Sequence, residues 1–216
     1  MSDTTVKNDV SGGDTVSARE LGGPARWIAR LATVALIVLS INQAFNISSR
    51  LGYTLIEQQY LYTVLFLTIP VAFLLFPMRA SQVRRGPTII DWVLAGLSAA
   101  CFVFFIYYAY SIIRYGWEMM PPFNTVVVGA VLWVLVIEAA RRAGGMVLAV
   151  IVLFFSAYPL FADKLPGPIS AFASPFEYVA AYHAMSLESM MGIPLRAFAN
   201  LVFGFILFGV ALEHTG

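Results

Sequence analysis

Residues 119–145 read MMPPFNTVVVGAVLWVLVIEAARRAGG, and the nineteen positions from Met119 to Ile137 carry no charge. About 20 apolar residues in a helix cross the roughly 30 Å of hydrocarbon in a bilayer. A helix or a closed barrel is the only backbone that satisfies its own N–H and C=O groups there. Pro121 and Pro122 stand just ahead of this run, where a helix's first turn has no use for their missing N–H donors. The run ends in Glu138, and Arg141 and Arg142 follow one turn later. The stretch therefore reads as a membrane helix that stops at a charged boundary, and the fold follows from finding how often this pattern recurs.

It recurs along most of the chain. Charge-free windows run over residues 31–49, 58–78, 92–113, 119–137 and 143–162, with a shorter one over 197–212 that reaches back to Gly192 if Arg196 extends its stem toward the interface. Hydrophobic residues make up 60% of the 216 and charged ones 12%, with a mean hydropathy of +0.80. That composition excludes a water-soluble domain. No ten-residue segments alternate polar and apolar positions, as the strands of an outer-membrane barrel would. The expected fold is thus all-α, a polytopic membrane helical bundle of about six transmembrane helices and one short interfacial helix.

The short helix is expected after Leu165–Pro175, where three prolines break the texture. Ser174 would be its N-cap, Pro175 its first residue and Glu177 the partner in a capping box. Tyr178, Tyr182 and Met185 form a stripe suited to the membrane surface or another helix. A full span is disfavoured there, because Glu177, His183 and Glu188 would each be costly at the bilayer centre. Pro70 is expected to kink the second span. Gly96 with Ala100, and Asn200 with Gly204, place small or polar groups where a neighbouring helix can approach. Asn42 and Gln43 lie toward the end of the first span, where water or headgroups can satisfy their amides.

Orientation follows the excess of basic residues in the short connections on the cytoplasmic side. With the N-terminus inside, Lys7, Arg19, Arg26, Arg30, Arg79, Arg84, Arg85, Arg141 and Arg142 fall inside, against Arg50, Arg114, Lys164 and Arg196 outside. Glu138, three and four residues before the two arginines, is expected to pair with them at the interface, a contact worth a few tenths of a kcal/mol if solvated. Residues 1–23, rich in Ser, Thr, Asp and Gly, are expected to form a disordered cytoplasmic tail. The first apolar run lies too far from the N-terminus for a cleaved signal peptide. Asn46-Ile-Ser48 fits a glycosylation sequon, a pattern short enough to arise by chance.

The same residues exclude several kinds of chemistry. A net charge of +1 provides no field for nucleic acid. No nucleophile with a nearby base, carboxylate pair or glycine-rich phosphate loop is recognisable, so an enzyme is not expected, and no cofactor is implied. His183 and His214 lack the spacing of a zinc site and read as interfacial polar side chains. Cys101 reads as a packing residue. No span carries the mid-membrane charge of a proton relay, and no polar stripe lines a channel.

Three stretches carry a family resemblance: VIEAARRAGG (Val136–Gly145), YPLFADKLPG (Tyr158–Gly167) and MMGIPLRAFANLVFGFILFGVALEHTG (Met190–Gly216). Together they resemble the N-terminal third of the fused permeases of tripartite ATP-independent periplasmic (TRAP) transporters, in the TAXI branch, over residues 58–216. The resemblance implies a bacterial inner-membrane permease component that imports organic anions, carboxylates among them, by symport on a sodium or proton gradient. An extracytoplasmic solute-binding protein would deliver the substrate, and the remainder of the large permease unit would carry the substrate and cation sites. It also implies a division into a four-helix small-subunit-like unit (24–143) and a linker helix, interfacial helix and first helix of the large unit (144–216). On that basis the chain is expected to be a fragment of a longer permease that serves as scaffold and does not transport alone. Glu138, Arg141, Arg142, Gly144 and Gly145 would form the junction, and Gly192, Pro194, Gly204 and Gly209 would set close helix approach. The residues leave open a different class, a non-transporting membrane scaffold or assembly protein that acts by helix contacts with lipid and protein neighbours.

Overall fold

A computed structural model describes residues 18–50, 52–78 and 86–215. Lys7, Arg79, Arg84 and Arg85, four of the cations used above to orient the chain, lie outside the described residues. Among those described the chain is all helical, with no strand. The main elements are α1 (Gly23–Phe45), α2 (Ile47–Arg50), α3 (Glu57–Leu75), α4 (Ile89–Tyr115), α5 (Phe123–Ala157), α6 (Phe176–Met185), α7 (Ile193–Ala197) and α8 (Phe203–Thr215), with a π-helical stretch over Phe198–Val202 joining the last two. Four of these, α1, α3, α4 and α5, are long and apolar enough to cross a membrane. The protein is a membrane protein, and its lipid-facing character is visible in the side chains: Leu31, Val34 and Val38 on α1 and Val147, Val150 and Phe155 on α5 are all exposed.

α5 is not one rod. Gly145 interrupts it with φ 82° and ψ 178°, a left-handed, extended conformation that is almost confined to glycine. Trp133 and Ser156 stand 23 residues apart, which would separate them by about 35 Å along a straight helix at 1.5 Å per residue. Instead the Trp133 indole Nε1 donates to Ser156 Oγ at 3.0 Å. The two arms therefore fold back on each other as a helical hairpin, so the separate fourth and fifth windows of the sequence correspond to its two arms.

The core lies between α3, α4 and the first arm of α5. Tyr60, Leu61, Tyr62, Val64 and Phe73 of α3 meet Phe102, Phe105 and Ala109 of α4 and Leu132 and Leu135 of α5. Tyr62 and Phe105 stack with centroids 5.4 Å apart. α3 continues through Pro70 to Leu75. α1 ends at Asn46 in a left-handed conformation, and Asn42 stabilises the turn by accepting from the Ser48 N–H at 2.9 Å. That local role accounts for one of the two amides at the end of the first span.

α6 corrects one expectation. Its N-cap is Pro175, the helix begins at Phe176, and no side chain caps it, so Ser174 and Glu177 form no capping box. Val179, Ala180, Ala181, Ala184 and Met185 are buried inside the bundle, so α6 packs one face on its neighbours, the second of the two placements its stripe allowed. The reason is Gly129 on α5. A Cβ built there would lie 3.1 Å from the Ala180 carbonyl oxygen and 3.2 Å from the Ala184 Cβ, so only a glycine lets the small face of α6 approach this closely. Tyr62 Oη donates to the Ala184 carbonyl at 2.8 Å and Gln58 Nε2 to that of Met185 at 3.3 Å, which satisfies the end of α6 from the side of α3.

Candidate functional site: a buried charge cluster at one end of the bundle

α4 begins with a capping box, T-I-I-D, in which Thr88 Oγ1 accepts from the Asp91 N–H at 3.4 Å and the Thr88 N–H donates to Asp91 Oδ2 at 2.9 Å. The carboxylate thus sits at the positive end of the helix dipole. Two arginines converge on it. Arg19 Nη1 donates to Oδ2 at 3.0 Å and Arg142 Nη1 to Oδ1 at 2.7 Å. The side chains of Asp91 and Arg19 are 0% exposed and that of Arg142 is 1% exposed.

Arg142 ties this pair to the end of α5's first arm. Its Nε donates to Glu138 Oε1 at 2.8 Å, its Nη1 also reaches the Phe76 carbonyl at 3.4 Å, and its guanidinium lies 5.3 Å from the centre of the Phe73 ring. The Phe76 carbonyl is at the C-cap of α3, where the helix provides no partner. Arg141 grips Glu138 from outside with two bonds of 2.7 Å, a bidentate fork, and both of these side chains are one quarter exposed. Three guanidiniums against two carboxylates leave the cluster with one net positive charge. Arg19 Nε and Nη2 and Arg142 Nη2 are buried with no hydrogen-bond partner among the described residues.

The geometry revises the expected interfacial pair. Glu138, Arg141 and Arg142 do come together as the spacing suggested, but Arg142 points inward and is fully buried, because Asp91 across the bundle offers it a second carboxylate. In the interior such a pair is worth far more to keep intact than a solvated one, since losing either partner strands a charge away from water. The expected tail is revised over residues 18–22 alone, residues 1–17 lying outside the described residues. Residues 18–22 are described, Arg19 is buried, its N–H donates to the Leu75 carbonyl at 2.9 Å, and Leu21 packs on the core. In the sequence Arg19 stands only as one of the cytoplasmic cations, and Asp91 does not stand out. The capping-box spacing from Thr88 to Asp91 was a readable signal for the second; nothing around Arg19 marks it as a buried cation.

The remaining candidates divide. Gly144 and Gly145 follow the cluster directly and form the hairpin's pivot, with a Cβ at Gly144 running into the flexible Leu148 side chain. Gly192 is needed locally: a Cβ there would meet the Ser189 carbonyl oxygen at 2.9 Å, while Pro194 occupies the first turn of α7. At Gly204 and Gly209 nothing among the described residues lies within 4 Å of a built Cβ, and both are exposed. The same is true of Gly96.

A second polar knot lies at the far end of the hairpin. His183 Nε2 donates to the Ser156 carbonyl at 2.8 Å, which fixes the tautomer and leaves Nδ1 to accept from Ser189 Oγ at 2.7 Å. Its ring is 5.0 Å from that of Trp133. Burial pushes the His183 pKa down, with the Ser156 bond opposing in part. His183 is thus a structural link between α6 and the second arm of α5. Among the described residues no group of three His, Cys, Asp or Glu side chains could hold a metal ion.

No family model, curated protein or solved structure matches this chain. The class that fold and site define is a helical membrane protein with a buried cluster of arginines and carboxylates at one end of its bundle.

Proposed function

We propose that the chain is the membrane permease component of a binding-protein-dependent secondary active transporter of the TRAP type, TAXI branch. In this reading it resides in the bacterial inner membrane with its N-terminus in the cytoplasm and takes part in importing organic anions, carboxylates above all, on a sodium or proton gradient. Its own share of that work is bracing. One observation supports this most: the charge cluster joins the N-terminal segment, the start of α4 and the end of α5's first arm, and every carboxylate in it is used internally. A helical unit so fastened can hold a moving partner unit without contacting substrate, and the hairpin at Gly145 continues from it into an arm with largely uncovered apolar faces.

Arg19, Arg141 and Arg142 gather in this cluster, and the excess of basic residues in short cytoplasmic connections supports reading that end as the cytoplasmic one. The test is uptake. Inside-closed vesicles holding the full permease, supplied with its purified solute-binding protein and a labelled carboxylate, should accumulate label only with both the binding protein and an imposed sodium or proton gradient. Absence of gradient-driven uptake at saturating binding protein, together with stoichiometric co-purification of another membrane protein, would replace this reading with that of a non-transporting scaffold.

A further inference from the structure

The two arms of α5 do not close on each other along their length. Between them, roofed by the end of α6, lies a cleft of about 520 Å³. Leu132, Trp133 and Val136 line it from the first arm and Ile151, Val152 and Phe155 from the second. We propose that this cleft holds an acyl chain of a membrane lipid, inserted from the surrounding bilayer.

Three observations lead there. The polar groups at the rim ask for nothing: the Trp133 indole N–H is taken by Ser156 Oγ, which itself donates to the Leu153 carbonyl, and His183 uses both ring nitrogens. An occupant therefore needs no hydrogen-bonding group, and no charged residue lines the walls. A cleft of this character is also dry, because a water inside it would find too few partners. Finally, the wall is continuous with a lipid-facing surface. Ile151 and Phe155 belong to the same arm as Met146, Val147 and Val150, whose apolar side chains are exposed, and that arm folds back on residues 123–144, an apolar helix of the length that crosses a bilayer. Hydrocarbon reaches the cleft by moving sideways and leaves no polar group unpaired. The size is that of a site for a sizeable apolar ligand. The occupant would wedge the arms at the spacing that α6 and the Trp133–Ser156 bond require.

Trp133 reports on the occupant directly. In the full chain with Trp27, Trp92 and Trp117 replaced by Phe, Trp133 emission is compared in phosphatidylcholine vesicles with plain acyl chains and with chains brominated at mid-length, bromine being a contact quencher. The expected result is that brominated chains remove the greater part of the Trp133 emission, and that Val152→Phe or Ile151→Phe, which narrow the cleft, restore it. A companion chain keeping only Trp27, which is 63% exposed on α1, should be quenched to the same degree with and without Val152→Phe. Trp133 emission indifferent to bromine while Trp27 is quenched would overturn the proposal and point to a protein segment or second copy in the cleft. Quenching that the narrowing variants leave unchanged would overturn it too, as lipid contact from outside. The unmodified chain gives a second reading: a phospholipid with a photoreactive acyl chain should form adducts on Val136 and Val152, and labelling confined to the outward faces of the arms would refute insertion. None of these outcomes depends on transport.

Discussion

The Trp133 indole and the Ser156 hydroxyl meet at 3.0 Å across 23 residues of what is otherwise one helical element, and the pivot between them is Gly145. A reversal of this kind concentrates its conformational demand on a single residue. At φ 82° and ψ 178° a side chain costs about 1–3 kcal/mol, because only glycine occupies that region freely. Gly145→Ala should therefore lower the unfolding free energy of the purified protein by that amount in a denaturant titration. Gly144→Ala meets a single side chain, that of Leu148, whose terminal methyl can rotate away, and it has no positive φ to strain, so it should cost less. Equal losses at the two positions would mean that the hairpin does not depend on the Gly145 backbone.

Asp91 is shared by two buried arginines, Arg19 and Arg142. Asp91→Asn keeps the shape and the cap acceptor but leaves the guanidiniums of Arg19 and Arg142 facing a neutral amide, and should cost about 3–5 kcal/mol. Glu57→Gln removes a half-exposed partner of Arg196 at 3.3 Å and should cost under about 1 kcal/mol. A double-mutant cycle of Asp91→Asn with Arg142→Gln should show coupling of about 0.5–3 kcal/mol, read from denaturant unfolding. Additive effects would show that the two side chains are not paired.

Gly129 sets how closely α6 sits against α5. Gly129→Ala places a methyl 3.1 Å from the Ala180 carbonyl oxygen and 3.2 Å from the Ala184 Cβ, and neither atom can turn aside. Overpacking of this kind costs about 1–3 kcal/mol. The accompanying shift of α6 should also loosen the Tyr62 bond to the Ala184 carbonyl, so proteolysis in the segment before α6 should speed up. Unchanged stability and unchanged proteolysis would show that α6 rests elsewhere.

What could be read from the residues, and what could not, divides along a physical line. Hydrophobic run length is a local property, and the apolar windows over α1, α3, α4 and both arms of α5 appear as helices. The pairing of Glu138 with Arg141 and Arg142 was readable because it spans a single helical turn. The burial of Arg142 was not, because it depends on Asp91, 51 residues away in sequence, and on Arg19 in a segment whose composition looks like that of a mobile tail. Arg19 is held by one backbone bond, one carboxylate and the neighbouring packing of Leu21, contacts that no periodicity records. Likewise α6 looked interfacial because Glu177, His183 and Glu188 count against burial. The helix solves this by turning its alanine face inward and satisfying His183 twice. Gly129, which makes that possible, lies within a valine-rich run where nothing distinguishes a packing glycine from an incidental one.

His183 makes the stability of this region depend on pH, and the sign follows from its partners. In the folded chain burial lowers its pKa below the ordinary value of 6.5, since a charged imidazolium at this site gives up water for a carbonyl and a hydroxyl. The unfolded chain consequently takes up the proton first as pH falls. Stability is full above pH about 6.5 and declines as pH drops from there through the lowered folded value. The protonated ring also becomes a donor at Nδ1, so Ser189 Oγ must turn from donor to acceptor for the contact to survive. Thermal midpoints measured between pH 7.5 and 5 should fall on the acid side in the unaltered protein. The same series in His183→Gln should lose that part of the decline while starting from a lower midpoint, because glutamine cannot span from Ser156 to Ser189 as the ring does. An acid-side slope that is the same in both proteins would assign it to other groups.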